Sequence, residues 1–195
     1  MRGILFAPVM AMLLATNAIA APPKAAVKDI SFKDAEGHRV LRETVIVDAP
    51  VDAAWEAFMT DEGFTRWAVP GGHVTPGVGG SMEWGMSAAF KVGDPNNIVN
   101  RIDFYLPDQM FAWHNEHVPA GGPFDPATFG TVRQMLEFAA VGKTRTRVTQ
   151  TVVGFGDDAK SDALYQHLRG GNAAYLVMLA NNFHETAAEA QAALQ

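Results

Sequence analysis

Leu41-Arg42-Glu43-Thr44-Val45-Ile46-Val47 runs without a break into Asp48-Ala49-Pro50, and Val51-Asp52-Ala53-Ala54-Trp55 follows at once. The first seven residues are rich in β-branched side chains and read as a strand. Asp48-Ala49-Pro50 stops it, because proline cannot donate to a ladder. Beyond the stop, Val51, Ala54, Trp55, Phe58 and Met59 recur at helical spacing. A second short helix begins at Asp61-Glu62, carries Phe64 and Trp67, and ends at Pro70. Gly71 to Gly80 reads as a turn-rich stretch.

From Ser81 the period changes to two. Met82, Trp84 and Met86 share a face, and Ile98, Ile102, Phe104 and Leu106 alternate with Arg101, Asp103 and Tyr105. Pro107-Asp108-Gln109 turns the chain into Met110–Asn115, and a long loop follows from Val118 to Gly130. Val132, Gln134, Leu136 and Phe138 then alternate with Arg133 and Glu137. Gly142-Lys143 leads into Arg145–Val153, where Val148 and Val152 oppose Arg145 and Arg147. Short turns between consecutive strands predict an antiparallel meander with one wet face. The charges on that face, Arg101, Asp103, Arg133, Glu137, Arg145 and Arg147, read as cross-strand pairs. The last element is a helix from about Ser161 to Ala193, with a stripe of Leu164, Leu168, Gly171, Tyr175, Met178, Asn182 and Thr186. The fold class is α+β: a curved antiparallel sheet with two short helices after its first long strand and one long helix gripping its face.

At the N-terminus, Met1-Arg2, the apolar run Ile4–Ala15 and the small-x-small triplet Ala18-Ile19-Ala20 have the three-part order of a secretory signal peptide. The run is too short for a membrane anchor, so cleavage after Ala20 and a periplasmic or secreted product without membrane insertion are expected. Residues 21–37 read as a linker with one short edge strand near Ile30–Phe32, and 38–195 as one domain. With 15 basic against 21 acidic residues and a formal net charge of -6, nucleic acid is not an expected partner. The chain has no cysteine, which removes disulfides, thiolate metal sites and a Cys nucleophile together. There is also no G-x-S-x-G elbow, P-loop or H-E-x-x-H motif.

The order of elements, with Val45–Trp55, Phe64-Thr65-Arg66-Trp67 and Gly79-Gly80-Ser81-Met82, resembles the helix-grip superfamily of START domains, birch-pollen-allergen folds and polyketide cyclases (SRPBCC). Within it the chain is most similar to the AHSA type, domains homologous to a heat-shock ATPase activator. Leu106-Pro107-Asp108-Gln109 before Phe111-Ala112-Trp113, and Thr144–Thr149 before the final helix, extend the resemblance over Leu41–Phe183. Two departures stand out. Gly170-Gly171-Asn172 occupies the place where many relatives carry a Trp, and the Val118–Gly130 loop is long enough to cover a cavity mouth.

The resemblance implies a hydrophobic or amphipathic small-molecule ligand between sheet and C-terminal helix. The candidate wall is Met82, Trp84, Met86, Phe104, Trp113, His114, Gln134, Leu136, Phe138, Tyr175, Met178 and Leu179. Gln134 and Gln150 fall on apolar strand faces, where a buried amide needs a partner, either a ligand or the other amide. His114-Asn115-Glu116-His117 contains metal-ligating and acid–base residue types, yet on a strand His114 and Glu116 share one face while His117 points away. No catalytic set, cofactor or metal is therefore expected. The function expected is a non-catalytic carrier or sensor. The alternatives are a cyclase- or hydratase-like enzyme using His114, Tyr175, Gln134 or Glu83, and a protein-interaction module with an unspecified partner.

Overall fold

The computed structural model describes residues 26–87, 89–121 and 126–192, with side chains as far as 184. The signal peptide expected over residues 1–20 lies outside them. Thirteen elements follow in order: β1 (Lys28–Asp29), β2 (Phe32–Lys33), β3 (Arg39–Val47), α1 (Val51–Met59), α2 (Asp61–Trp67), β4 (Gly71–Thr75), β5 (Ser81–Gly85), β6 (Ile98–Leu106), β7 (Met110–His117), α3 (Pro126–Gly130), β8 (Arg133–Ala140), β9 (Thr146–Val153) and α4 (Ala159–Ala192). The strands form one antiparallel sheet in the order β1-β3-β9-β8-β7-β6-β5-β4, with β2 also on β3. This is the expected α+β helix-grip arrangement: a curved open sheet with α4 laid along its inner face.

The chain turns from β3 into α1 at Pro50, whose carbonyl accepts the first helical bond from Ala54. Thr60 closes α1 and caps α2 through its hydroxyl on the Gly63 N–H at 2.9 Å. Trp67 at the end of α2 donates its indole N–H to the Ala57 carbonyl at 2.9 Å, which fixes α2 against α1. Trp55 centres an aromatic cluster, edge-on to Tyr105, Phe111 and Phe138 at 5.3–5.6 Å. At the far end of the sheet, Asp158 starts α4 by accepting from the Ser161 N–H. Of the charges expected to pair across strands, Arg133 and Asp103 pair with each other, while Arg101 and Glu137 find partners outside that set, Glu116 and Arg42.

Four details depart from the sequence pattern. The stretch beginning at Gly71 is a strand, β4, paired with β5 from Gly71–Gly85 to Thr75–Ser81. A side chain at Gly71 would collide with Phe90, so its two glycines admit a close approach rather than a turn. Within the expected linker, two two-residue strands pair with β3 instead of one at Ile30–Phe32.

The other two concern side-chain direction. β6 carries a bulge between Ile102 and Phe104 that inverts the alternation. Phe104, expected inside, is 46% exposed, while Tyr105 turns in against Trp55. On α4 the buried stripe runs Leu164, Leu168, Asn172, Leu176, Leu179 and Ala180, so Met178, expected inside, is 45% exposed. The polar residue at 172 had disguised the stripe as one passing through Gly171. The bulge yields a direct test: Tyr105→Ala should cost about 2–3 kcal/mol, whereas Phe104→Ala should stay within about 0.5 kcal/mol, both read by urea denaturation.

Candidate functional site

The buried apolar residues form two clusters rather than one. The larger gathers α1, α2 and one end of the sheet around Phe58, Phe111, Leu136, Val148, Leu176 and Leu179. The smaller contains Leu41, Val132, Val152, Phe155, Leu164 and Leu168. The boundary between them is polar on every element that crosses it. On β3, Glu43 stands between Leu41 and Val45; on β8, Gln134 between Val132 and Leu136. Gln150, opposite Glu43 and diagonal to Gln134, stands on β9 between Val148 and Val152, and Asn172 on α4 between Leu168 and Leu176. In each case one apolar neighbour belongs to one cluster and the second to the other. A transverse polar layer thus divides the core.

A cavity of about 520 Å³ opens at this layer. Met82, Trp84, Phe111, Trp113 and Leu136 of the sheet form one wall, Phe58 and Phe64 of α1 and α2 a second, and Leu168, Gly171, Asn172 and Tyr175 of α4 the roof. Met86, Val118, Pro119, Phe129 and His167 also line it, none of them fully buried. Gly171 has no atom within 4 Å of the position a Cβ would take, so the glycine leaves open space above the wall. Two glycines and an asparagine in the middle of α4 cost the helix roughly 2–3 kcal/mol of propensity relative to alanine.

Two cross-strand amide pairs line the cavity. The Asn115 side-chain amide donates to the Asn100 carbonyl oxygen at 2.7 Å, and that of Gln150 to the Gln134 carbonyl oxygen at 3.2 Å. The donating residue of each pair keeps a buried carbonyl oxygen with no partner, Oδ1 of Asn115 and Oε1 of Gln150. Two donors are also unpartnered, Nε1 of Trp113 and Nδ2 of Asn172. Among the described residues seven buried side-chain polar atoms lack a partner. Four of them belong to residues that line this cavity, although the atoms themselves are shielded from it. Tyr175, packed on Trp67 at 4.4 Å between ring centres, has its phenol pKa raised by burial and stays neutral.

Seven of the twelve expected wall residues line the cavity: Met82, Trp84, Met86, Trp113, Gln134, Leu136 and Tyr175. Phe138 and Leu179 are buried in the larger cluster without reaching it. Phe104 and Met178 lie on the surface for the reasons given above. His114 is on the outer face, its Nδ1 within 2.8–2.9 Å of the Asp103 carboxylate. Glu83, the fourth acid–base candidate, accepts from the Gly93 N–H and the Asn97 amide and holds the 91–97 turn instead.

Glu116 pairs with Arg101, His117 with the Pro95 carbonyl and His73 with Asp61, so the described members of the His114–His117 constellation do not converge on one point. Asp34, Glu36 and His38 are close enough together to hold a cation, but the Asp34 carboxylate is already taken by the N–H groups of that exposed turn. Asn100, Asn115 and Asn172 were not among the candidates. Each is a polar residue at an inward-facing position, the signal that had identified Gln134 and Gln150.

No family model and no curated protein matches this sequence. Solved structures do match it. The Aha1 dimer of Colwellia psychrerythraea superposes with a TM-score of 0.53 at 16% identity, over 74% of this chain and 95% of that one. CalU16 of Micromonospora echinospora gives 0.52 at 17% over 80% of each chain. The chain carries the helix-grip fold. Ms6760 of Mycobacterium smegmatis agrees, with 0.54 at 19% over 84% of this chain and 99% of that one. At such identities the helix-grip likeness is one of fold, and the site must be argued from its own residues.

On the opposite flank of α4 a second hollow of about 420 Å³ is lined by Val27, Asp29, Glu43, Gln166, Arg169, Gly170 and Ala173. Burial, with Asp29 nearby, pushes the Glu43 carboxyl from 4.5 up to about 7, while Arg169 opposes the shift. The folded state therefore keeps this proton to about pH 7 while the unfolded chain releases it near 4.5. Between these values the folded state binds more protons, so stability falls as pH rises through that window. Glu43→Gln should match the wild type in urea at pH 4.5 and exceed it at pH 8.

Proposed function

We propose that this chain is a carrier or sensor of an apolar or amphipathic small molecule, held between sheet and α4 without being chemically changed. The observation that carries the reading is the cavity itself: about 520 Å³ of space walled largely by Phe, Trp, Met and Leu side chains. Gly171, on the α4 side of the cavity, places no side chain in it. The enzyme alternative draws less support. Of its four acid–base candidates, His114 and Glu83 are engaged elsewhere, Gln134 does not titrate, and Tyr175 is held neutral. We further propose that the chain is exported, its leader ending at Ala20, so that the native protein begins at Ala21.

The test is uptake of the neutral dye N-phenyl-1-naphthylamine, read by its fluorescence blue shift in a hydrophobic site. The wild type should bind it and Gly171→Ala should bind it equally, with the alanine adding about 0.5–1 kcal/mol of stability. Gly171→Trp should abolish uptake while the protein stays folded by circular dichroism. Absence of uptake by the wild type, or uptake unaffected by Gly171→Trp, contradicts the reading.

A further inference from the structure

The N-terminal edge of the sheet lies beside a buried acid. Residues 28–33 run antiparallel along β3, with Lys28 and Asp29 opposite Thr44 and Glu43, and Phe32 and Lys33 opposite Val40 and Arg39. Between these two short ladders the Ile30 N–H donates to the Arg42 carbonyl at 2.8 Å. All six residues are exposed except Ser31, which is half-buried. One ion pair ties them to α4: Asp29 Oδ2 accepts from Arg169 Nε at 2.8 Å and lies 2.7 Å from its Nη2. An edge so short and so wet opens more readily than the interior of the sheet.

Glu43 stands directly across from Asp29, is only 3% exposed, and has no hydrogen-bond partner for its Oε2. Three elements face it: β1 brings the Asp29 carboxylate, β9 the uncharged Gln150, and α4 brings Arg169 and Gln166. Hydrogen bonds from Ser31, and then Arg169, hold Asp29 below the usual carboxylate range, so it is already ionised when Glu43 loses its proton. A protonated Glu43 fits this site. An ionised one buries a charge beside a like charge, with a single guanidinium for both. We propose that residues 28–33 are a strap latched by the Glu43 proton: when the proton leaves to solvent, Arg169 is divided between two carboxylates, and the strap lifts from β3 so that water reaches Glu43. The hollow of about 420 Å³ beside Glu43 and Arg169 gives water its route. The latch works independently of the ligand cavity, which lies on the other flank of α4.

Amide hydrogen exchange of the full chain, followed by NMR and corrected for its intrinsic pH dependence, reads the strap directly. Glu43 holds its proton to about pH 7 under the closed strap and to near the ordinary 4.5 once hydrated. Between these values the closed form binds more protons, so opening grows as pH rises. The protection factor of the Ile30 N–H should fall by up to about tenfold per pH unit from 4.5 to 7 and level off above. It should be smaller than that of the Phe138 N–H, which bonds the Gln109 carbonyl at 2.7 Å, and should not respond to low urea, because only the strap opens. Glu43→Gln should remove the pH dependence. Arg169→Gln should lower Ile30 protection at pH 4.5 by about threefold, the worth of an exposed ion pair. A slope that persists in Glu43→Gln would belong to His38, paired with Asp34 in the turn after β2, and overturns the latch. So does wild-type Ile30 protection that is independent of pH, or that equals Phe138 protection and falls with it in urea.

Discussion

The polar layer running through Glu43, Gln150, Gln134 and Asn172 is the constraint around which the molecule is arranged. It crosses β3 and β9 at one level and steps diagonally to Gln134 on β8, and on β3, β9, β8 and α4 it separates apolar residues of the two clusters. A core cut this way cannot close, because amides do not pack as hydrocarbon and each needs a partner. The cavity is the geometric consequence. Glycine at 170 and 171 then keeps α4 thin where it passes over the cut, and a hollow opens on either flank.

The two clusters divide the remaining work. The larger is an aromatic assembly around Trp55 and Phe58 that ties α1 and α2 to β7 and β8. It holds most of the buried apolar residues of the two clusters, and several of them also wall the cavity. The smaller secures the start of α4 through Leu164 and Leu168 against Leu41 and Val152, with Tyr165 on Phe155 at 5.0 Å. α4 is thus anchored on both sides of the polar layer and bridges it. A ligand entering the gap would complete contacts between parts that are already rigid, which lowers the ordering cost of binding.

Much of this was legible in the sequence where side-chain period alone decides. The β3–α1 junction, the meander and the long terminal helix follow from alternation, helical spacing and Pro50. The inward amides Gln134 and Gln150 stood out because they interrupt apolar faces, and Glu43 does the same between Leu41 and Val45. Position 172 was unreadable for the opposite reason: a polar residue in the buried stripe made Gly171, Tyr175 and Met178 look like its continuation. Phe104 and Tyr105 exchanged places because a bulge is a register event, invisible to a pattern that assumes strict alternation. Asn100 and Asn115 sit where strict alternation from Ile102 and from Trp113 puts an inward side chain, so they carried the same signal as the two glutamines. β4 was hidden by glycines, whose lack of a side chain serves close strand approach to Phe90 as readily as a turn.

The most direct test of the account is native mass spectrometry of the protein purified from the cells that make it, followed by solvent extraction of whatever it carries. A discrete non-covalent added mass, lost on denaturation and recovered as an apolar or amphipathic compound, is the predicted result. A bare chain that also takes up no neutral apolar probe would mean that the polar layer is satisfied by water and that the cavity is not a binding site.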